Sequence, residues 1–286
     1  MLGSIAVGVT RCLMLHGATM ILADARMYSP TPGAAAAWRD LFGWLSRAAD
    51  VPLELVEPNA PLPELWRRRD LGACFICGWQ LAKRASQLKP LAAPVMCDAH
   101  AQGRAVYWTD FVVRFGADFR RLEDTFRHRI AFTTKHSHAG YNAARHHLLG
   151  FPNGRGGHFY SEVAGPVGTT RAAALAVAEG VVEVAALDAY AHALLRRYEP
   201  NLALGLRVVE RSELSTMPPL AASAGLDPRK VTRLTDALIG SAVDPEARPI
   251  LSRLELKSFA PIDPSAYEVT LAWEKEALDR NYPEIA

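Results

Sequence analysis

In the middle of the chain a short apolar run, Arg129 to Thr133, ends in a polar turn and continues into helix-forming sequence from Ala139 to Leu149. This strand, turn and helix constrains what can be built around it. No proline interrupts 139–149, so the helix can begin directly at the turn. A helix start carries backbone N–H groups without intrahelical partners and the positive end of the helix dipole, and both favour an anion. Ser137, His138, Ala139 and Gly140 stand at that start, with Lys135 just ahead. The turn therefore offers amides, a hydroxyl and a positive charge to a phosphate-like or carboxylate group. Ser137 is equally suited to a plain helix cap, with His146 and His147 facing solvent.

At 286 residues the chain is long for a single core, so one large domain or two lobes both fit. Basic and acidic residues nearly cancel, 32 against 30, and no basic block is interleaved with aromatics. A nucleic-acid surface is not expected, and a charged ligand must be met by local groups. No run of eighteen apolar residues occurs, so no membrane insertion is expected. Cys74 and Cys77 form a C-x-x-C pair inside the apolar run Gly72 to Cys77. On a strand, positions three apart face opposite sides, so the two are expected to stay reduced, buried and unreactive. His136, His138, His146, His147 and His158 crowd one region without metal-ligand spacing, and no metal or cofactor is expected. The first twenty residues lack a basic leader region, with Arg11 in mid-stretch and His16 breaking the apolar core. They read as an N-terminal arm (1–19) ahead of Met20 as a natural start, which leaves the compartment open, the cytoplasm included.

The remaining chain alternates strands and helices. Strands are expected at Met20–Ala25, Leu53–Val56, Leu71–Cys77 and Leu91–Cys97, with helices at 34–49, 64–69 and 81–86 between them. Val106–Arg114 is a strong strand, followed by a short helix at 118–126. Phe159–Ala164 and Val181–Leu187 are further strands, with helices from Ala172 and Ala189. After a strand at Leu206–Val209, three proline-marked helices, 228–239, 245–254 and 264–278, close the chain without an obvious strand after Ala221. Tyr28 and Trp79 fall just past the carboxyl ends of parallel strands, where open α/β sheets bind ligands. Each could also be a partly buried core residue, the lesser alternative.

Taken together, RMYS after the first strand, DLGACFICGWQLA, VYWTDFVVR, HSHAGYNAARHHLL and EGVVEVAALDAYAHALL resemble the phosphonate-type substrate-binding proteins of ABC transporters over roughly Met20 to Ser223. The resemblance implies an α/β, two-lobed type II periplasmic-binding-protein-like fold with two hinge crossings, contained in Tyr107–Val113 and Arg207–Met217. Residues 20–106 and 218–286 would form lobe 1 and 107–217 lobe 2. It also implies a small anionic ligand (phosphonate, phosphate or related) captured between closing lobes, for uptake with a transporter permease as partner or for sensing through another protein partner. The family's Ser-x-Ser-Gly at the central helix start is matched by Ser137, His138, Ala139 and Gly140, with the second serine replaced by alanine. Its strand-end aspartate is matched by Asp188, and its cleft aromatics by Tyr28 and Trp79. Asp110, Thr169, Thr170 and Tyr190 are secondary members of the set, and Gly168-Thr169-Thr170-Arg171 replaces the usual glycine-serine-histidine. Asp188 is also placed to cap the helix after it. An enzyme on the same fold, of the menaquinone or thiamine-pyrimidine type, is the alternative.

Overall fold

The computed structural model describes residues 21–56, 61–83, 87–152 and 158–286. The expected arm, Cys12, Met20 and most of the turn at 150–157 lie outside the described residues.

The described residues form thirteen strands: β1 Ile21–Asp24, β2 Leu53–Leu55, β3 Leu71–Phe75, β4 Leu88–Met96, β5 Val106–Tyr107, β6 Thr109–Arg114, β7 Arg129–Ala131, β8 Glu162–Ala164, β9 Val184–Asp188, β10 Leu206–Arg211, β11 Ser215–Thr216, β12 Leu220–Ser223 and β13 Leu256–Ala260. They make one six-stranded sheet ordered β13-β4-β12-β3-β1-β2 and one five-stranded sheet ordered β10-β6-β9-β7-β8. Both sheets repeat one plan. A parallel trio (β2-β1-β3 and β8-β7-β9) is followed by an antiparallel strand, β12 or β6, which has just arrived from the other sheet. β4 and β10 then continue each sheet beyond that inserted strand.

The apolar runs explain the strands at the centre. All five residues of β3 are buried, and β9 is buried up to Asp188, as expected for strands covered on both faces. In helix Pro32–Ala48, Thr31 accepts from the Ala34 N–H at 3.1 Å and Pro32 takes the first turn. Its Trp38, Leu41, Phe42 and Leu45 recur at helical spacing and are buried on the first sheet. β4 contains Pro90 and Pro94, which cannot donate to a ladder, and its pairing with both neighbours shifts register.

Three elements differ from the sequence reading. Beyond Ala221, where only helices were expected, β12 runs on to Ser223 and β13 forms between the last helices, pairing antiparallel with β4 as an edge strand. The segment 118–126 is a single 3-10 turn at Leu122–Thr125, because Asp124 accepts from the Arg120 and Arg121 N–H groups and closes the chain early. The passages between sheets run over 97–108 and 212–219, since β6 and β10 are complete strands of the second sheet. There β5 pairs antiparallel with β11, and Met217 N–H donates to Ala105 O at 3.0 Å.

The last helix, Glu268–Asp279, does not stay with the first lobe. It starts there, with Tyr267 against Gly78, where an added Cβ would overlap the tyrosine ring. It ends against the second, where Ala277, Tyr282 and Ile285 join the core of Phe111, Tyr141, Leu148 and Phe159. His146 and His147 are likewise not solvent-facing. His146 stacks on Trp273 at 4.7 Å and meets Glu276, and His147 packs on Phe111 at 5.4 Å and meets Glu213.

Candidate functional site

The carboxyl ends of parallel strands from both sheets converge on a cleft of about 720 Å³. The first lobe contributes Tyr28 and Cys77, just beyond β1 and β3, and an apolar side of Met27, Leu62 and Trp66. The second contributes Thr133, Thr134, His136, Ser137 and His138 beyond β7, Gly168 to Arg171 beyond β8, and Asp188 at the end of β9. Tyr107 and Pro218 enter from the two passages.

The turn after β7 is wider than an ordinary helix start. His138–Ala143 forms a π-helical turn capped by Ser137, and Ala144–Leu148 continues as α-helix. At Gly140 an added Cβ would overlap the Thr133 hydroxyl, so this position must stay bare. Three of the four amides at 137–140 are engaged within the protein. Ser137 N–H donates to Thr134 O at 3.1 Å, His138 N–H to Cys77 Sγ at 3.2 Å, and Gly140 N–H to Ser137 Oγ at 2.9 Å. Three hydroxyls stand at the same wall. Ser137 Oγ, Thr134 Oγ1 and Thr169 Oγ1 each accept from a backbone N–H, of Gly140, His136 and Ala172 respectively. A hydroxyl that accepts from an amide keeps its own proton to donate. Thr169 also caps the nine-residue helix Thr170–Ala178, whose amino terminus adds positive potential at the same wall.

Asp188 caps a helix and also lines the cleft. Its Oδ1 caps helix Ala189–Tyr198, accepting from the Tyr190 and Ala191 N–H groups at 2.9 and 3.1 Å. Its Oδ2 accepts from the Tyr28 hydroxyl of the other lobe at 3.2 Å. Burial outweighs these bonds and raises the carboxyl to about 6. The two arginines on the cleft wall are each paired, Arg26 with Asp24 at 2.9 Å and Arg171 with Glu199 at 2.7 Å.

The structure thus brings together Tyr28, Ser137, His138, Thr169, Thr170 and Asp188. It places Ala139 and Gly140 behind the wall, where Ala139 O accepts from the Thr109 hydroxyl at 2.6 Å. Trp79 is not on the cleft. Helix Gly78–Ala82 begins as soon as β3 ends and turns the indole to the last helix, where Nε1 donates to Glu274 at 2.9 Å and Lys83 lies over the ring. Asp110 is buried among His192, Trp108 and Arg211. Burial pushes its carboxyl up, but the bonds from His192 and Trp108 and the charge of Arg211 prevail and hold it below its ordinary value. Tyr190 donates to Leu254 O and touches the cleft only through Tyr28, edge to face at 4.7 Å. Thr133, Thr134, Cys77, Tyr107 and Trp66 were missed. The two threonines and Cys77 lie at strand ends, so the rule that found Ser137 reaches them; Trp66 carries no such signal.

Cys77 at the cleft and Cys74 inside β3 are both free thiols, raised by burial, while Cys97 is exposed. Thiol alkylation followed by peptide mapping is expected to modify Cys97 first, Cys77 slowly and Cys74 not at all. Modification of Cys74 at the rate of Cys97 would contradict the burial of β3.

Two α/β lobes built on the same strand plan around one cleft define the type II binding-protein fold. The chain matches the family described as ABC transporter, phosphonate, periplasmic substrate-binding protein, over residues 31–267. It belongs to that family, and is a solute-binding protein, not an enzyme. Solved structures agree on the fold. PA3383 of Pseudomonas aeruginosa, a binding-protein component of an ABC phosphonate transporter, is 17% identical with a TM-score of 0.77, over 92% of this chain and 87% of that one. PhnD1 of Prochlorococcus marinus, in complex with methylphosphonate, is 14% identical with a TM-score of 0.75, over 92% and 100%. XAC2383 of Xanthomonas citri, bound to ATP, is 18% identical with a TM-score of 0.64, over 91% and 98%. Among curated proteins no sequence matches the chain. Among the described residues no helix is long and apolar enough to cross a membrane.

Proposed function

We propose that the cleft captures one small solute with an oxyanion at one end and a hydrogen-bond donor, such as an amine, at the other. The observation that carries this reading is the set of three hydroxyls lining the cleft, Thr134, Ser137 and Thr169, each accepting from a backbone N–H and donating to no acceptor among the described residues. Asp188 and Tyr28 receive the donor end, and Met27, Leu62 and Trp66 cover the apolar middle. The methylphosphonate of PhnD1 and the ATP of XAC2383 both carry tetrahedral oxyanions, in keeping with such a cradle. Residues 21–106 with 218–267, and 107–217 with helix Glu268–Asp279 and the tail after it, move as the two bodies about 97–108 and 212–219. Ligand that binds the closed state better shifts the population toward it. Delivery to an ABC transporter permease outside the cytoplasmic membrane completes the reading.

Calorimetric titration with 2-aminoethylphosphonate, methylphosphonate, inorganic phosphate, sulfate and a pyrimidine tests it. The aminophosphonate is expected to bind most tightly, and the pyrimidine to give no heat. Ser137→Ala is expected to weaken every oxyanion by about tenfold, the effect of one hydrogen bond to a charged group. Oxyanion affinities left unchanged by both Ser137→Ala and Thr169→Ala would sink the cradle.

A further inference from the structure

His138, which lines the cleft, carries a polar atom that the hydroxyls do not explain. His138 is 1% exposed, its ring lying over Trp273 at 5.2 Å and beside Tyr107 at 6.2 Å. Its main-chain N–H is taken by Cys77 of the other lobe. Its Nδ1 lies 3.1 Å from Asn142 Nδ2. The Asn142 amide has one permitted orientation. Its Oδ1 faces Arg145 Nη2 at 3.0 Å, and a guanidinium can only donate; its Nδ2 faces Thr270 O at 2.9 Å, and a carbonyl can only accept. Asn142 therefore donates to His138 Nδ1, and the proton of the neutral ring sits on Nε2. That Nε2 is buried and has no hydrogen-bond partner among the described residues.

We propose that His138 Nε2–H is a fixed, uncharged donor to the bound solute, and that Asn142 is the residue that positions it. This rests on the oxyanion reading of the cleft and specifies it further. A serine or threonine hydroxyl rotates and can serve as donor or acceptor. The His138 ring cannot, since reversing its tautomer would set a second N–H against Asn142 Nδ2. The site thus demands an acceptor oxygen at this point and turns away a ligand that presents an O–H or N–H there. Burial, with a smaller contribution from neighbouring His146, depresses the imidazole to about 3, so the ring stays neutral and recognition here works by direction and not by charge. An unmet N–H in a dry wall is costly, and an arriving oxygen relieves that cost.

Two measurements decide it. In the full-length protein labelled with nitrogen-15, long-range proton–nitrogen correlation near neutral pH is expected to show His138 with Nε2 protonated and Nδ1 bare, and Nε2 is expected to shift when 2-aminoethylphosphonate or methylphosphonate is added. Calorimetry on His138→Phe, which keeps a ring against Trp273 and deletes the donor, is expected to show affinity for those probes reduced about tenfold or more. An Nδ1-protonated ring, an Nε2 shift indifferent to the probe, or full affinity in His138→Phe overturns the proposal. A wild-type protein that binds none of the oxyanions overturns the cradle and this proposal together. Binding that falls in Ser137→Ala but survives in His138→Phe overturns this proposal alone.

Discussion

Asp188→Asn is expected to stabilise the empty protein at alkaline pH while weakening its hold on amine-bearing solutes. The carboxyl is raised by burial from an ordinary 3.8 to about 6 in the folded chain. Between those values the folded state binds more protons than the unfolded one, so stability falls as pH rises from about 4 to about 6 and stays reduced above. Two pKa units correspond to at most about 3 kcal/mol. Asparagine keeps the cap, because its carbonyl can accept from the Tyr190 and Ala191 N–H groups as Oδ1 does now, and the two residues cap helices about equally well. Chemical denaturation should therefore show the variant about 1–3 kcal/mol more stable near pH 8, with the gain gone near pH 4. In calorimetry its affinity for 2-aminoethylphosphonate should drop about tenfold or more, while inorganic phosphate binds as well or better once a like charge is removed. A variant that is less stable at pH 8 and ranks the ligands as wild type does would make Asp188 a helix cap and nothing more.

That two-sided role marks the boundary of what the sequence carries. The strand ends are legible because β1, β7 and β9 are apolar runs that lead to polar residues, β3 is an apolar run that leads to Gly78, and a parallel strand stops at the ligand edge. Tyr28, Ser137 and Asp188 follow from that rule. What the rule cannot supply is the partner across space. Whether the amides at 137–140 are free depends on Cys77, sixty-one positions away, which takes the one from His138. Trp79 obeys the strand-end rule and still leaves the cleft, because the helix that begins at Gly78 is rotated by its packing on Tyr267 and Glu274. β13 escapes for a local reason. Leu256-Lys257-Ser258-Phe259-Ala260 shows no run of apolar residues and becomes a strand through its pairing with β4.

Deleting Tyr282–Ala286 is expected to remove cooperative folding of the second lobe. Tyr282 and Ile285 are 2% and 4% exposed and sit in the core beside Tyr141, Leu148 and Phe159. Loss of a large buried side chain costs about 2–5 kcal/mol. The same five residues supply Pro283 O, which accepts from the Arg145 guanidinium, and Ala286 O, which accepts from the Phe159 N–H at 2.6 Å. Burial already lowers the Arg145 pKa, so that cation tolerates the loss of an acceptor poorly. Together these losses reach about 5–10 kcal/mol, comparable to the whole stability of a typical domain. Thermal unfolding of the truncated chain should show a folded first lobe at most, or no cooperative transition. Ile285→Ala is the graded control. It should lower stability by about 2–4 kcal/mol and leave one cooperative unfolding step. Because Arg145 also holds Asn142, and Asn142 holds His138, this control should bind methylphosphonate more weakly than its stability loss alone explains, with the His138 Nε2 resonance broadened. A truncated protein that melts within a few degrees of the full chain would show that the tail lies on the second lobe without holding it.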